Sequence, residues 1–406
     1  TGVGDVNFGQ KPFKYAPPEG FQPLNYANLP SPEVVRPDQY VGIVTYTGDA
    51  PTVQNITGLN FGTNPDFVWV KSRTSTHHYG LFDTVRGANK VIRSSQPGAE
   101  NTLTQQLMSF DNNGYTVGTN SDGGNYVNLS GEDYVAWCWK AGGNEGTFNK
   151  DGVGYASAAA VGLTAGTITP IGASIGTKQG FSIIKTTGNG TNSAQSIPHG
   201  LSQTPDFIIH SSLDHAYNFG IGHRSVSDKV GWFTDDDWDS GWASYGAGSW
   251  DPSSNTSTTF GTAPGTSTSD YPNTSGHEYI HYVWHNVPGL QKFGTYTGNN
   301  DADGPYVELG FRPLVVLLKC TSVDGTYWTL FDSERRKFNV NNHTLNPDRS
   351  DEEETSGGNG QVDFLSNGFK LRTTDAGVNA SGANMIYMAW AEAPMNNLYG
   401  AQSNAR

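Results

Sequence analysis

Three stretches of the chain share one alternation of large apolar positions with more varied ones. Val135, Trp137 and Trp139 occupy one set of alternate positions, and Tyr134, Ala136 and Cys138 the other. Ile280, Tyr282 and Trp284 repeat the first set, as do Ile386, Met388 and Trp390. The second set varies, being Tyr279, His281 and Val283 in one copy and Met385, Tyr387 and Ala389 in the other. A period of two marks a strand, and the face that stays large and apolar in every copy is expected to be its core face. Trp139, Trp284 and Trp390 are therefore read as core anchors rather than ligand platforms. Each strand follows an Asn-x-Ser-Gly turn at the same distance: Asn128 to Gly131, Asn273 to Gly276 and Asn379 to Gly382. Self-similarity at fixed internal spacing means one supersecondary unit copied along the chain.

The other elements recur in the same order. Each copy opens with a run ending in Thr-Gly, over 41–48, 181–188 and 293–298. A proline then leads a run of β-formers, Pro65 to Lys71, Pro205 to His210 and Pro313 to Lys319. These runs are apolar on both alternations, which predicts cover on both faces. Proline is tolerated at the first residue of a strand, where no ladder donor is lost. Leu81-Phe82-Asp83 with Arg86 is echoed by Leu330-Phe331-Asp332 with Arg335, while the second copy keeps only Phe219 and Arg224. An acid and a base three apart read as a structural ion pair. Asn113-Gly114 and Asn367-Gly368 predict hairpins, since a type I′ turn requires positive φ at both central residues.

These elements predict an all-β fold, a tandem array of three β-sandwich units of jelly-roll or lectin-like character. The expected units are 37–143, a divergent 181–290, and 291–396. Residues 144–180, rich in Gly, Ala and Thr without periodicity, read as a linker or an arm packed on a neighbour. Residues 1–36 form a separate N-terminal segment and 397–406 a tail. Composition sharpens this picture. In 406 residues the hydrophobic share is low at 35%, with aromatics at 12% and 51 glycines, a balance of turns and strands rather than helices. The formal charge of −14 disfavours nucleic acid and anionic membrane as partners. No apolar run approaches the roughly 20 residues of a membrane span, and no signal peptide is evident. Cys138 and Cys320 sit at non-equivalent positions and read as free buried thiols. A start at Thr1 rather than Met suggests a processed product or the ordered part of something longer.

Two resemblances attach to particular residues. Val6 to Tyr15, with Pro17-Pro18 and Gly20-Phe21, resembles the closing strand and tail of a SPRY-type domain, and only that tail matches. Pro65 to Lys71, Leu81 to Gly87 and Tyr134 to Gly142 resemble repeats in structural proteins of marine tailed phages, tail-fibre or virion proteins, over most of 38–396. That resemblance implies a virion protein, assembled in the host cytoplasm and exposed on the particle, with other virion proteins and a host-surface glycan as partners. It also implies a symmetric homo-oligomer, a trimer by analogy with fibres.

Candidate chemistry concentrates in the second copy. Trp232, Asp235, Asp237, Trp238, Asp239, Trp242, Tyr245 and Trp250 crowd one loop-like stretch. The plainer reading is a long loop folded on its own domain or a neighbouring subunit. The functional one is a saccharide site, with aromatic faces for sugar rings and carboxylates for hydroxyls. The Asp run and the 299–304 turn lack the order of a calcium loop. His277, His281 and His285 lack the His-Glu-x-x-His pattern of a zinc site. Asp351 to Glu354 reads as a solvated charge run. The Asn-x-Ser sequons are explained by turn chemistry rather than glycosylation. No Gly-x-Ser-x-Gly elbow and no phosphate cradle is found. The expectation is a non-enzymatic phage appendage protein that adheres to host glycan, with no cofactor and no metal. The alternatives are a depolymerase with a carboxylate pair in the second copy, whose spacing sequence does not define, and a purely architectural spacer.

Overall fold

The computed structural model describes residues 32–226, 231–233, 250–262 and 273–395. The fold is all-β, and the one α-helix among the described residues is the single turn Ala376–Asn379. Three larger sheets share one core order: opening strand, tryptophan strand, proline-led strand, then the strand that ends in the acid or its equivalent. In the first copy these are Val41–Thr47, Asp133–Trp139, Phe67–Ser72 and Gly80–Asp83. In the second they are Phe181–Thr187, Glu278–Trp284, Phe207–Ser212 and Gly220–His223. In the third they are Gln291–Thr297, Asn384–Pro394, Phe311–Cys320 and Thr329–Asp332. All these pairings are antiparallel, with Trp139 opposite Phe67, Trp284 opposite Phe207 and Trp390 opposite Val315.

A smaller three-stranded sheet covers one face of each larger one. The first joins Gln54–Thr57, Gly114–Val117 and Leu107–Asp111. The second joins Gln195–Pro198, Thr259–Thr262 and Trp250–Asp251, and the third Tyr306–Glu308, Gly368–Leu371 and Val362–Leu365. Each pair of sheets encloses its own core. In the first copy Ile56, Leu107, Tyr115 and Val117 pack on Val68, Val70, Ala136 and Cys138. The face of the tryptophan strand that varies among copies is thus the sandwich interior.

The repeated face looks the other way, into a core common to all three copies. Trp139, Trp284 and Trp390 are 3, 1 and 2% exposed and belong to one cluster with Val135, Phe67, Phe207 and Val315. Their ring centroids are 6.3 Å (139 to 284), 5.2 Å (139 to 390) and 6.1 Å (284 to 390) apart, with interplanar angles of 70, 68 and 70°. Three edge-to-face contacts of one geometry form a triangle, the arrangement aromatic quadrupoles favour. The copies are therefore not independent beads: each larger sheet is buried on both faces, by its own small sheet outside and by the other two copies inside.

Residues 144–180 are not a linker. Phe148–Lys150, Val153–Tyr155 and Gly172–Gly176 extend the second larger sheet at one edge, and Gly231–Trp232 extends it at the other, giving eight strands. Ala158, Val161, Leu163 and Ile168 pack into the same core as Ile184 and Val283.

The repeated turn is held by one set of bonds. Asn128 Oδ1 accepts from Asp49 N–H at 2.8 Å, Asn273 Oδ1 from Asn189 N–H at 2.8 Å and Asn379 Oδ1 from Asn299 N–H at 2.9 Å. Each side-chain NH₂ donates back to loop carbonyls, for Asn128 those of Thr52 and Gly118. Gly131, Gly276 and Gly382 have φ of 79, 78 and 70°, and a Cβ on Gly48, Gly188 or Gly298 would lie 2.2 Å from a turn carbonyl oxygen. The opening strand ends in glycine because the turn backbone passes against it.

Two local expectations change. The hairpins form, but Gly114 pairs with Asp111 and Gly368 with Leu365, so the turns are Asn112-Asn113 and Ser366-Asn367. Glycine is needed there for close approach: a Cβ would stand 1.9 Å from Ile56 O or 2.1 Å from Val307 O. Pro313 lies inside the strand Phe311–Cys320 rather than at its start, at a break in the register. The irregularity removes the need for its missing N–H.

Candidate functional site

The Asp–Arg pairs lie where copies meet. Asp83 and Arg86 form a buried ion pair, and Asp83 Oδ1 accepts from the N–H groups of Val85 and Arg86 at 3.0 and 2.9 Å. The Tyr282 hydroxyl, from the second copy, donates to Asp83 Oδ2 at 2.7 Å. In the third copy Arg335 Nε pairs with Asp332 Oδ2 at 2.5 Å. The Trp137 indole, from the first copy, donates to the same oxygen at 3.0 Å. Trp137 and Tyr282 are equivalent positions, so one contact is made twice in cyclic order. At the remaining junction His223 stands in the acid's place, opposite Phe207 as Asp83 is opposite Phe67, and the backbone of Tyr387 from the third copy lies against its ring. Met388 stands in the donor's place. Three junctions close a ring, two through a carboxylate and one without.

Glu353 belongs to this network rather than to a solvated run. It pairs with Arg335 at 2.9 Å and with Arg73 of the first copy at 2.7 Å.

The second copy's interior is rich in histidine. His210 and His281 face each other at 6.2 Å, where the first copy has Val70 and Ala136. His281 Nε2 bonds the Thr186 hydroxyl at 2.9 Å. Burial pushes His210 down to about 3 and both His199 and His223 to about 4, and holds His281 well below the usual range. The trio 277, 281 and 285 does not converge: His277 stacks on His215 at 4.0 Å, and His285 Nδ1 bonds the Asn286 carbonyl at 2.7 Å. Among the described residues no three His, Cys, Asp or Glu side chains gather as a metal site. No helix among them is long and apolar enough to cross a membrane. The 299–304 turn satisfies itself, with Asn299 Oδ1 accepting from Asp301 N–H and Asp301 Oδ1 from Asp303 N–H.

The Trp/Asp stretch divides. Trp232 is buried in a two-residue strand, and its carbonyl accepts from the Trp328 indole at 2.7 Å, a contact between second and third copies. Trp250 lies in the edge strand paired with Thr262. Asp235, Asp237, Trp238, Asp239, Trp242 and Tyr245 lie outside the described residues.

A cleft of about 560 Å³ opens where the first copy hands over to the second. Tyr40, Asn64, Lys140, Asn144, Asp151 and Lys178 line it. Its floor is the loop after Trp139, held from below by Asp66, whose Oδ2 accepts from the N–H groups of Ala141 (2.6 Å) and Gly143 (3.2 Å). Burial raises that carboxyl to about 6 against those donors. Asp206 binds the Asn286 N–H in the same way at 2.7 Å in the second copy. Gln179 ties the loop to the next strand, donating to Ala141 O at 2.6 Å. Asp151 accepts from the Thr177 N–H and hydroxyl at 2.8 and 2.7 Å. Sequence reading missed this cleft because it joins residues of the first unit, Tyr40, Asn64 and Lys140, to residues read as a linker, Asn144, Asp151 and Lys178. The available signal was the Gly-Gly-Asn-Glu run at 142–145 beside Lys140.

Over residues 36–394 the chain matches the family described as "Domain of unknown function (DUF7483)", and it belongs to that family. No curated protein and no solved structure matches it.

Proposed function

We propose that this family member is a non-enzymatic structural protein of a tailed-phage virion, a tail-fibre or capsid-attached component that presents its outer surfaces to host-surface saccharide. One observation carries the reading: the side chains that recur across copies are committed to structure, within a copy or between copies. The three tryptophans meet one another, the three turn asparagines bind their own loops, and two of the acids bind the neighbouring copy. A chain whose repeated residues all bear on rigidity suits display, where many weak contacts add through copy number. A trimer of such chains would form through outer surfaces, because the inner faces are already covered within one chain.

Electron microscopy of virions labelled with antibody against the chain tests the role, with label on tail or capsid appendages expected. Label confined to host cell lysate, with none on particles, refutes it. Incubation with host polysaccharide tests the non-enzymatic half: no new reducing ends are expected, and any turnover makes the protein a depolymerase.

A further inference from the structure

The three copies invite comparison of their junctions, and one junction is different. Residues 285–290 alone join the tryptophan strand of the second copy to the opening strand of the third, whereas 140–180 make the same connection between first and second. The extra chain is built into the sheet through Phe148–Lys150 and Gly172–Gly176 and packs a core with Leu163 and Ile168. Ordering it costs conformational entropy, and its geometric product is the cleft.

The lining is suited to a hydroxyl-rich ligand. The Tyr40 ring is half-buried, with the exposed Lys178 ammonium 5.8 Å from its centroid. Among the described residues neither Lys140 nor Lys178 forms an ion pair, while Lys140 Nζ donates to the Phe61 carbonyl at 3.1 Å. Asn144 and Glu145 are exposed at the rim. A Cβ on Gly143 would meet only Gly152 Cα, at 3.8 Å, so the floor leaves room for a ligand to approach backbone. An aromatic face, amides, two cations and carboxylates around about 560 Å³ match a pocket within the usual range for small ligands. The lining mixes apolar with polar surface, which fits a sugar, whose ring has an apolar face and a hydroxyl-bearing edge. We propose that this cleft is a saccharide-binding site for a short oligosaccharide segment. One sugar ring lies on Tyr40, and its hydroxyls are bound by Lys140, Lys178, Asn144 and Glu145. The proposal rests on the adhesion reading and names its site.

The test uses the full chain on an array of neutral and acidic oligosaccharides, with Lys178→Ala and Asn144→Trp as variants. Both positions are exposed, so the melting temperature is expected to hold. The wild type is expected to bind a saccharide subset, Asn144→Trp to lose at least tenfold by blocking the cleft, and Lys178→Ala to lose about tenfold. A pattern restricted to acidic sugars makes the lysines carboxylate or sulfate binders, and a neutral pattern makes them hydroxyl donors. Unchanged binding in both variants overturns the cleft but leaves adhesion standing. A wild type that binds no saccharide yet labels virions overturns the ligand class and leaves the virion role intact.

Discussion

Replacing Trp284 by alanine asks whether the three copies share one core. The indole stacks on Phe181 at 4.4 Å and Phe207 at 5.4 Å within its own copy, and meets Trp139 at 6.3 Å and Trp390 at 6.1 Å in the other two. Truncating a buried tryptophan costs about 3–5 kcal/mol, and six aromatic partners, these four with Phe67 and Tyr282, place this site near the upper end, about 5 kcal/mol. Unfolding entropy is about 2.1 cal/mol/K per residue, so a chain of this length unfolding as one unit has about 0.85 kcal/mol/K and loses about 6 °C. A single autonomous copy of about 110 residues has about 0.23 kcal/mol/K and loses about 20 °C, leaving its neighbours alone. Calorimetry separates the cases. One endotherm, shifted as a whole by about 6 °C, is expected. Several endotherms in the wild type, with one displaced by about 20 °C in the variant, would refute the shared core.

The remaining predictions address the polar groups. Asp332→Ala leaves buried Arg335 with Glu353 as its remaining carboxylate, and leaves the Trp137 indole and the N–H groups of Glu334 and Arg335 without their acceptor, so a loss of about 3–5 kcal/mol is expected in urea unfolding; a loss under about 1 kcal/mol would mean the junction does not depend on it. His199, His210 and His223 have folded pKa values below the unfolded 6.5, so stability is full above that pH and falls as pH drops toward about 3–4, by about 1.4 kcal/mol per unit per histidine. Asp66 and Asp348, raised by burial to about 6 and about 7, bind protons more readily folded than unfolded and work the other way. The comparison is therefore made by variant: His210→Val with His281→Ala, the residues of the first copy, should move the acid-unfolding midpoint down, and an unchanged midpoint would exonerate that pair. Asn379→Ala leaves the Asn299 N–H and the carbonyls of Asp301 and Thr373 without partners, an expected loss of about 2–4 kcal/mol by chemical denaturation. The same buried amides predict no glycan at Asn128, Asn273 or Asn379 after secretory expression; a mass increment at any of them would contradict the turn assignment.

The strands were legible because period-two alternation and Thr-Gly, proline and Asn-x-Ser-Gly signals survive without context. Trp137, Trp139 and Val135 were correctly grouped on one face. What that face meets was not legible, since alternation says only that a face is buried, and a sandwich interior and a junction between copies demand the same apolar side chains. The strands at 148–150 and 172–176 escaped for a different reason. Gly172-Ala-Ser-Ile-Gly176 is entirely buried, yet its small residues carry little β-propensity, and its place is set by tertiary pairing. The Asp–Arg pairs were seen as local pairs three apart. Their link to Tyr282 and Trp137, nearly two hundred residues away in sequence, has no local trace. Glu353 shows the converse error: a run of four acids looks solvated, but position 353 lies between two arginines.

Placing the ring in one chain has a physical consequence for where function can reside. Three separate copies of a single unit could cover the same inner faces as a symmetric trimer, but each would have to carry identical residues and association would cost translational and rotational freedom. Covalent continuity removes that cost and frees each copy to differ. The inner faces use the freedom little: Trp139, Trp284 and Trp390 are one residue type, and two junctions keep the carboxylate. Beyond His223 at the third junction, the departures lie in the second copy's interior and at its border, with His210 and His281 in place of apolar residues and the built insertion at 144–176. Rigidity needs the three copies alike, and recognition of one ligand needs one surface unlike the others. If the proposed recognition of a saccharide holds, the asymmetric copy is where its contact belongs, and the cleft at the border with the first copy is the site that test addresses.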